Sequence, residues 1–278
     1  MKLAPLDVPS LLRQHGLRPD KSLGQNFLVD EAALQRVVEA AEIGSADSVL
    51  EIGAGLGSLT RHLVLAARRV VAVEVDGDLI QPLTQVLAEY DNVRIIRGDI
   101  LALNPAQLMA EAGYLVVANI PYYITSALIR HLLEAQIHPA RLVLTVQREV
   151  ASRICASAGD LSLLALSVQV YGRSAIATHI LAGSFYPPPK VDSAVVRVDL
   201  YPEPVFPPDL LPLFFRLAKA GFSQKRKTLR NALAGGLACS TTEAEALLST
   251  AGLDHRRRAE TLNLDEWGVL TRAYQELF

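Results

Sequence analysis

Between Ser48 and Gln147 the chain alternates short apolar runs with longer amphipathic stretches. The runs are Ser48–Ile52, Val70–Val75, Val93–Ile96, Tyr114–Ala118 and Arg141–Val146. Runs that are apolar at nearly every position suit strands buried on both faces, as in a parallel sheet covered by helices. The intervening Leu56–Ala67, Gly77–Glu89 and Thr125–Ala135 show helical periodicity. The pattern predicts a doubly wound α/β domain. Further on, Leu163–Tyr171 and Ala175–Leu181 are expected to pair as a hairpin across Gly172–Ser174, with Ser193–Leu200 as a last strand. Prolines 202, 204, 207 and 208 suit a connector. Beyond them Leu210–Ala220, Lys225–Ala234, Thr241–Ala251 and Leu264–Leu277 read as helices, with Gly221, Gly235–Gly236 and Gly252 as stops. The expected organisation is an α/β domain over 1–203 and a small all-helical domain over 204–278.

Composition narrows the class. Of 278 residues, 50% are hydrophobic and 20% charged, which fits a folded chain rather than a disordered one. Cys155 and Cys239 supply neither a disulfide framework nor a four-thiolate metal site, and no metal is expected. Met1–Pro9 does not read as a secretory leader, and no run approaches 18 uncharged apolar residues, so a cytoplasmic protein without a membrane span is expected. The net charge of −2 conceals an asymmetry: Leu210–Gly236 holds Arg216, Lys219, Lys225, Arg226, Lys227 and Arg230 and no acidic residue. Clustered cations of this kind neutralise nucleic-acid phosphates, and Lys225, Arg226, Lys227 and Arg230 are the expected RNA contacts. Arg256–Arg258 adds three more cations, flanked by Asp254 and Glu260.

The first strand runs into Glu51-Ile52-Gly53-Ala54-Gly55-Leu56-Gly57 and then a helix. Glycines at such a turn let the backbone approach a ligand and aim helix N-terminal amides at it. The second strand ends in Glu74, placed to accept hydrogen bonds from a ribose diol. Loop and acid together imply a nucleoside-containing cofactor, where either one alone would be explained by a plain turn. The G-x-G-x-G spacing after an acid differs from the G-x-G-x-x-G of dinucleotide enzymes, which disfavours a nicotinamide dehydrogenase. It resembles the S-adenosylmethionine loop of class I methyltransferases. Asp99, after the third strand, could accept from an adenine amine, although taken alone it reads better as a turn- or helix-capping aspartate.

The fourth strand ends in Asn119-Ile120-Pro121-Tyr122. An adenine N6 amine is a poor nucleophile because its lone pair is delocalised into the ring. The Asn119 amide oxygen and the Pro121 carbonyl could each accept one N6–H bond, favouring a pyramidal nitrogen that faces a methyl donor. Tyr122 would stack on the base, and Phe185, ahead of the stiff Pro187–Pro189, could hold its other face. Neither cysteine follows a proline, so no covalent route through a thiol is evident.

Taken together these residues resemble the ribosomal RNA adenine dimethyltransferase family, and most of the chain takes part in the resemblance. Lys21–Leu28 is similar to the family's N-terminal motif. Glu51–Gly57, Glu74, Asp99 and Asn119–Tyr122 follow in family order, then Val146–Ala151 and Phe185–Val195. Phe222–Leu233 and Arg258–Leu262 resemble the family's C-terminal domain, outside the generic methyltransferase core. The resemblance implies a Rossmann-like class I methyltransferase sheet with a helical RNA-positioning domain. It also implies S-adenosyl-L-methionine as cofactor and dimethylation of N6 on two neighbouring adenosines in the 3′-terminal hairpin loop of small-subunit rRNA. The implied cofactor contacts are Asn26, Leu28, Gly53, Gly55, Glu74, Asp99 and Asn119; Asn119, Pro121, Tyr122 and Phe185 would surround the base. The implied partner is small-subunit rRNA or an immature small subunit, met by a monomer. Rival readings are a large-subunit rRNA adenine methyltransferase of the antibiotic-resistance type and a non-catalytic assembly or transcription factor on the same fold. The chain departs from the family at Ala54, at Asp20 and over 158–167, where Leu161, Leu163 and Leu164 replace the family's Lys, Tyr and Gly.

Overall fold

The computed structural model describes residues 3–121 and 124–277. Strands β1 (Phe27–Leu28) and β8 (Phe185–Tyr186) form a small antiparallel pair. Strands β2 (Ser48–Ile52), β3 (Arg69–Glu74), β4 (Val93–Arg97), β5 (Leu115–Asn119), β6 (Arg141–Gln147), β7 (Gly172–Ile180) and β9 (Ser193–Leu200) form one sheet in the order β4-β3-β2-β5-β6-β9-β7. β2 is parallel to both β3 and β5, β3 to β4 and β5 to β6, while β9 runs antiparallel to β6. Every residue of β2 is buried, as the continuous apolar run requires.

From β2 the chain builds outward through β3 to β4, and it returns to the other side of β2 with β5 and β6. The switch point therefore lies between β2 and β5, where open α/β sheets bind ligands beyond the strands' carboxyl ends. Register brings those ends level: Ile52 lies opposite Val73 on one side and Ala118 on the other. Helices α1 (Val8–Gln14), α2 (Glu31–Ala41), α3 (Thr60–Ala66), α4 (Gly77–Val86), α5 (Pro105–Met109), α6 (Thr125–Leu133) and α7 (Arg148–Ile154) accompany these strands along the chain. Asp30 caps α2 and Asp76 caps α4 through backbone N–H groups. The two helices ahead of β2, α1 and α2, are absent from the sequence-based expectation, although Asp30 followed by buried Ala33, Leu34, Val37 and Ala41 is a helix signal.

The chain divides into two compact units, one comprising the stretch up to Ala151 with Ser174–Leu200, the other Ser152–Arg173 with the stretch from Tyr201 onward. The break at Leu200–Tyr201 falls close to the expected boundary at 203, but 152–173, expected in the α/β domain, joins the helical unit. Leu163–Tyr171 is not a strand: α8 (Leu163–Gln169) is a helix capped by the Ser162 hydroxyl, which accepts from Ala165 N. Its Gln169 amide donates to the carbonyls of Ile154 and Ala156. A short apolar run cannot by itself separate a buried strand from a buried helix, and here the serine cap decides. Leu161, where the family has Lys, is 5% exposed within the apolar cluster of this unit, which accounts for its apolar character.

The rest of the helical unit is α9 (Leu211–Phe222), α10 (Leu229–Leu237), α11 (Thr241–Thr250) and α12 (Leu264–Leu277), packed around Phe206, Phe214, Leu233, Leu247 and Trp267. Gly221 and Gly235–Gly236 lie inside α9 and α10 rather than ending them. A Cβ on Gly236 would sit 2.5 Å from Ala220 Cα, so the glycine permits the close crossing of the two helices. The helix expected from Lys225 starts only at Leu229; Lys225, Arg226 and Lys227 occupy the turn before it.

Candidate functional site

At the carboxyl end of β2 the chain turns sharply through Gly53, Gly55 and Gly57, with φ of +76°, +59° and +88°, a region that disfavours side chains. Gly53 N and Ala54 N both donate to Val73 O, tying the loop to β3. A Cβ on Gly53 would come within 3.3 Å of the Asn119 carbonyl, so the loop lies directly against the end of β5. Glu74, 5% exposed, accepts Gly55 N at Oε2 (2.7 Å) and Asp76 N at Oε1 (2.9 Å). Burial raises its pKa against the opposing pull of those N–H groups. Each oxygen keeps a further lone pair for a ligand. Glu51, below the loop, is pushed up to about 8, chiefly by burial, with the Glu74 charge adding and the Thr60 hydroxyl opposing. Burial thus favours its neutral form.

Above the loop lies a cavity lined by Asn26, Gly53, Gly55, Glu74, Asn119 and Pro121, which the sequence nominates, together with Leu23, Gln25, Phe27, Val75, Leu79 and Ile120, most of which it does not. Val75 is 47% exposed beside Leu79, an apolar wall next to a buried carboxylate. An apolar face for a flat base and an acceptor for a diol fit a nucleoside. Val75 had a signal in the sequence, an apolar residue directly after the strand-ending acid. Gln25 lies within the Lys21–Leu28 motif, but its bond to Asp76, 51 residues away, leaves no local signal.

Residues 23–27 form part of the wall of this cavity. The Asn119 side-chain Nδ2 donates to Asn26 O at 3.0 Å, which leaves Oδ1 as the amide's remaining polar atom. The Pro121 carbonyl accepts Ile124 N at 3.2 Å and retains a second lone pair. Tyr122 lies outside the described residues. Three nominated residues are not brought to the cavity wall. Leu28 and Phe185 pair in β1 and β8 and are 3% and 4% exposed within the apolar core, so the Phe185 ring is packed rather than presented to a base. Asp99 is exposed and its Oδ1 accepts Leu101 N at 2.9 Å, the turn-capping geometry.

In the helical unit the cationic run separates into two kinds. Lys225, Arg226 and Lys227 are exposed in the turn closed by Lys227 N to Gln224 O, and no ion pair engages them among the described residues. Arg230 is instead half-buried and paired with Glu245 at 2.9 Å. Arg256, Arg257 and Arg258 pair with Asp254, Glu266 and Glu260. Among the described residues no group of three His, Cys, Asp or Glu could hold a metal ion, and no helix is long and apolar enough to cross a membrane.

Comparison with known proteins gives a consistent picture. The sequence profile of the family described as "Ribosomal RNA adenine dimethylase" matches residues 16–276. A ribosomal RNA small subunit methyltransferase A from Dehalococcoides mccartyi is 44% identical over 282 residues, covering 99% of this chain and 97% of that protein. Among solved structures, a dimethyladenosine transferase from Plasmodium falciparum superposes with a TM-score of 0.78 at 25% identity, over 90% of this chain and 98% of that one. The 23S rRNA methyltransferase ErmE superposes with a TM-score of 0.73 at 28% identity, over 90% of this chain and 100% of that one.

Proposed function

This chain belongs to the ribosomal RNA adenine dimethylase family, and from that premise we propose that it dimethylates N6 of two adjacent adenosines in the 3′-terminal hairpin loop of small-subunit (16S) rRNA. As a member it is a class I methyltransferase that acts on rRNA with S-adenosylmethionine as methyl donor. The small-subunit target is favoured by the identity to the small-subunit enzyme of Dehalococcoides mccartyi across nearly the whole of both chains. The observation that carries the chemical reading is one cavity lined by Glu74, the glycine loop, Asn119 and Pro121.

In this reading Glu74 holds the ribose diol, Gly53 and Gly55 let the cofactor lie close to the backbone, and Val75 and Leu79 face its adenine. S-adenosylmethionine supplies an electrophilic methyl group on a sulfonium. In the first transfer Asn119 Oδ1 and Pro121 O accept the two N6 hydrogens of the target base and hold the nitrogen lone pair toward that methyl. The methylated nitrogen then loses one proton to solvent, and its single remaining N6–H keeps one of the two acceptors for the second transfer. Acceptors fixed before the reaction stabilise the positive charge that grows on nitrogen, so no strong general base is needed. Tyr122 stacks on the base; Leu28 and Phe185 support the site from the core. Asp99 Oδ1 is engaged by Leu101 N, which leaves Oδ2 to accept from the cofactor's adenine amine. The helical unit positions RNA through Lys225, Arg226 and Lys227, with Arg230 bracing the turn through Glu245. The partner is an immature small subunit in the cytoplasm, met by a monomer.

The similarity to ErmE supports one alternative, a large-subunit rRNA target. Methyl transfer to naked 16S rRNA, naked 23S rRNA and immature small subunits, read by primer-extension stops, separates the two. The proposal expects two adjacent stops near the 3′ end of 16S rRNA; stops confined to 23S rRNA, or no transfer, would overturn it.

A further inference from the structure

We propose that Gln25 is a positioning residue that holds segment 20–28 closed over the cavity, and that this closure decides which atom of the Asn119 amide faces the substrate; the inference rests on the function proposed above. Gln25 Oε1 accepts Asp20 N at 2.7 Å, and its Nε2 donates to Asp76 Oδ2 at 2.7 Å. Asp76 is itself fixed: Oδ1 accepts Asp78 N at the start of α4, and its own N–H donates to Glu74 Oε1. The latch is thus anchored to the same carboxylate that receives Gly55 N.

The next residue reaches the other end of the cavity. Asn26 O receives Asn119 Nδ2 at 3.0 Å, and the Phe27 ring lies 3.0 Å from where a Cβ on Gly55 would stand. One short segment therefore touches the Glu74 end and the Asn119 end together. An amide whose nitrogen donates to a fixed carbonyl must present its oxygen elsewhere, and that oxygen is the acceptor the reaction uses. With the segment in place the cavity holds only about 70 Å³ of open space, against roughly 300 Å³ or more for ordinary small-molecule sites. In this proposal the segment swings aside for cofactor entry, breaking the Gln25–Asp76 bond, and the bond re-forms to retain the cofactor. Gln25 links holding the cofactor to aiming Asn119.

The test compares Gln25→Ala, Gln25→Glu and the exchange Gln25→Glu with Asp76→Asn, in which donor and acceptor trade places. A hydrogen bond to a charged partner is worth about tenfold or more in an equilibrium. In cofactor-free protein, hydrogen exchange of the amides in 21–27 should quicken about tenfold in Gln25→Ala with little change in Tm. S-adenosylhomocysteine should bind about tenfold more weakly, and kcat at saturating S-adenosylmethionine should fall as well, because Asn119 loses its orientation. Gln25→Glu alone should be at least as impaired, and the exchange should restore all three readouts. Wild-type exchange and affinity in Gln25→Ala would overturn the proposal. So would a fall in Tm with KM and kcat unchanged, or failure of the exchange pair to restore. Should Gln25→Ala not fold, the Gln25→Glu single and paired variants carry the same decision. A wrong rRNA target would leave the exchange and affinity results untouched, since neither uses RNA.

Discussion

The two units carry their chemistry in different ways. In the α/β unit the candidate groups sit at the ends of β2, β3 and β5, and parallel register alone brings Gly53, Glu74 and Asn119 to one edge. In the helical unit the cations fall in two short stretches, 225–230 and 256–258, and divide by partner: among the described residues Lys225, Arg226 and Lys227 have no ion pair, and Arg230 and the 256–258 triplet are held by carboxylates. A strand end positions its side chain by backbone geometry. A surface cation is positioned by whatever lies opposite, and only an unpaired one is free to meet phosphate. The comparison assigns transfer to fixed acceptors in one unit and RNA affinity to three side chains in the other.

The largest expected effect separates the two roles. Asn119→Ala should lower kcat by about 10²–10³-fold, the usual cost of losing one preorganised partner in a transition state, with little change in rRNA affinity. Single-turnover transfer and filter binding measure the two quantities, and a parallel loss of both would merge roles the comparison keeps apart.

Glu51 tests whether the α/β edge is built for ligand rather than for stability. Its folded pKa, pushed up to about 8 by burial, exceeds the value of 4.5 expected of an unburied glutamate. The folded state thus holds a proton that the unfolded state releases, so this contribution is fully present below about pH 4.5 and is lost as pH rises toward 8. Glu51→Gln should flatten that decline and gain stability relative to the natural protein at pH 8 but not at pH 4.5. Denaturant unfolding at the two pH values checks this, and equal curves would contradict it.

Neutralising Lys225, Arg226 and Lys227 together should reduce the slope of log affinity for rRNA against log salt by about 2–3, at roughly 0.7–0.9 for each phosphate left without its cation. Gly236→Ala should destabilise the helical unit by about 1–3 kcal/mol through overpacking against Ala220, seen in chemical unfolding. The smallest effect is Arg230→Ala, which should leave the salt slope unchanged and cost under about 1 kcal/mol, because its partner is part-exposed. A salt slope that fell for Arg230 as much as for Lys225 would erase the distinction between paired and free cations.

The contrast also explains what could be read ahead of the structure. The β2 loop, Glu74 and the Asn119–Pro121 turn are local signals tied to strand ends, and they converge once a parallel sheet is assumed. The Gln25–Asp76 latch and the Arg230–Glu245 pair join residues far apart in sequence, so neither leaves a local pattern. Leu163–Gln169 misleads because its leucines suit strand and helix alike, and only the Ser162 cap distinguishes them. Gly221 and Gly236 look like helix stops, whereas each makes room for a neighbour, Trp267 in one case and Ala220 in the other. Phe185 reads as a base-stacking ring from its place before the prolines, but its pairing in β8 turns it into the core.

The central claim is that two oxygens, Asn119 Oδ1 and Pro121 O, receive the amine of the target base. A crystal structure of the complete chain with S-adenosylhomocysteine and an rRNA hairpin tests it most directly. The account predicts an adenine extruded from its stack, with N6 within about 3.2 Å of both oxygens. An adenine bound with N6 turned away from them, or seated on another wall, would contradict it.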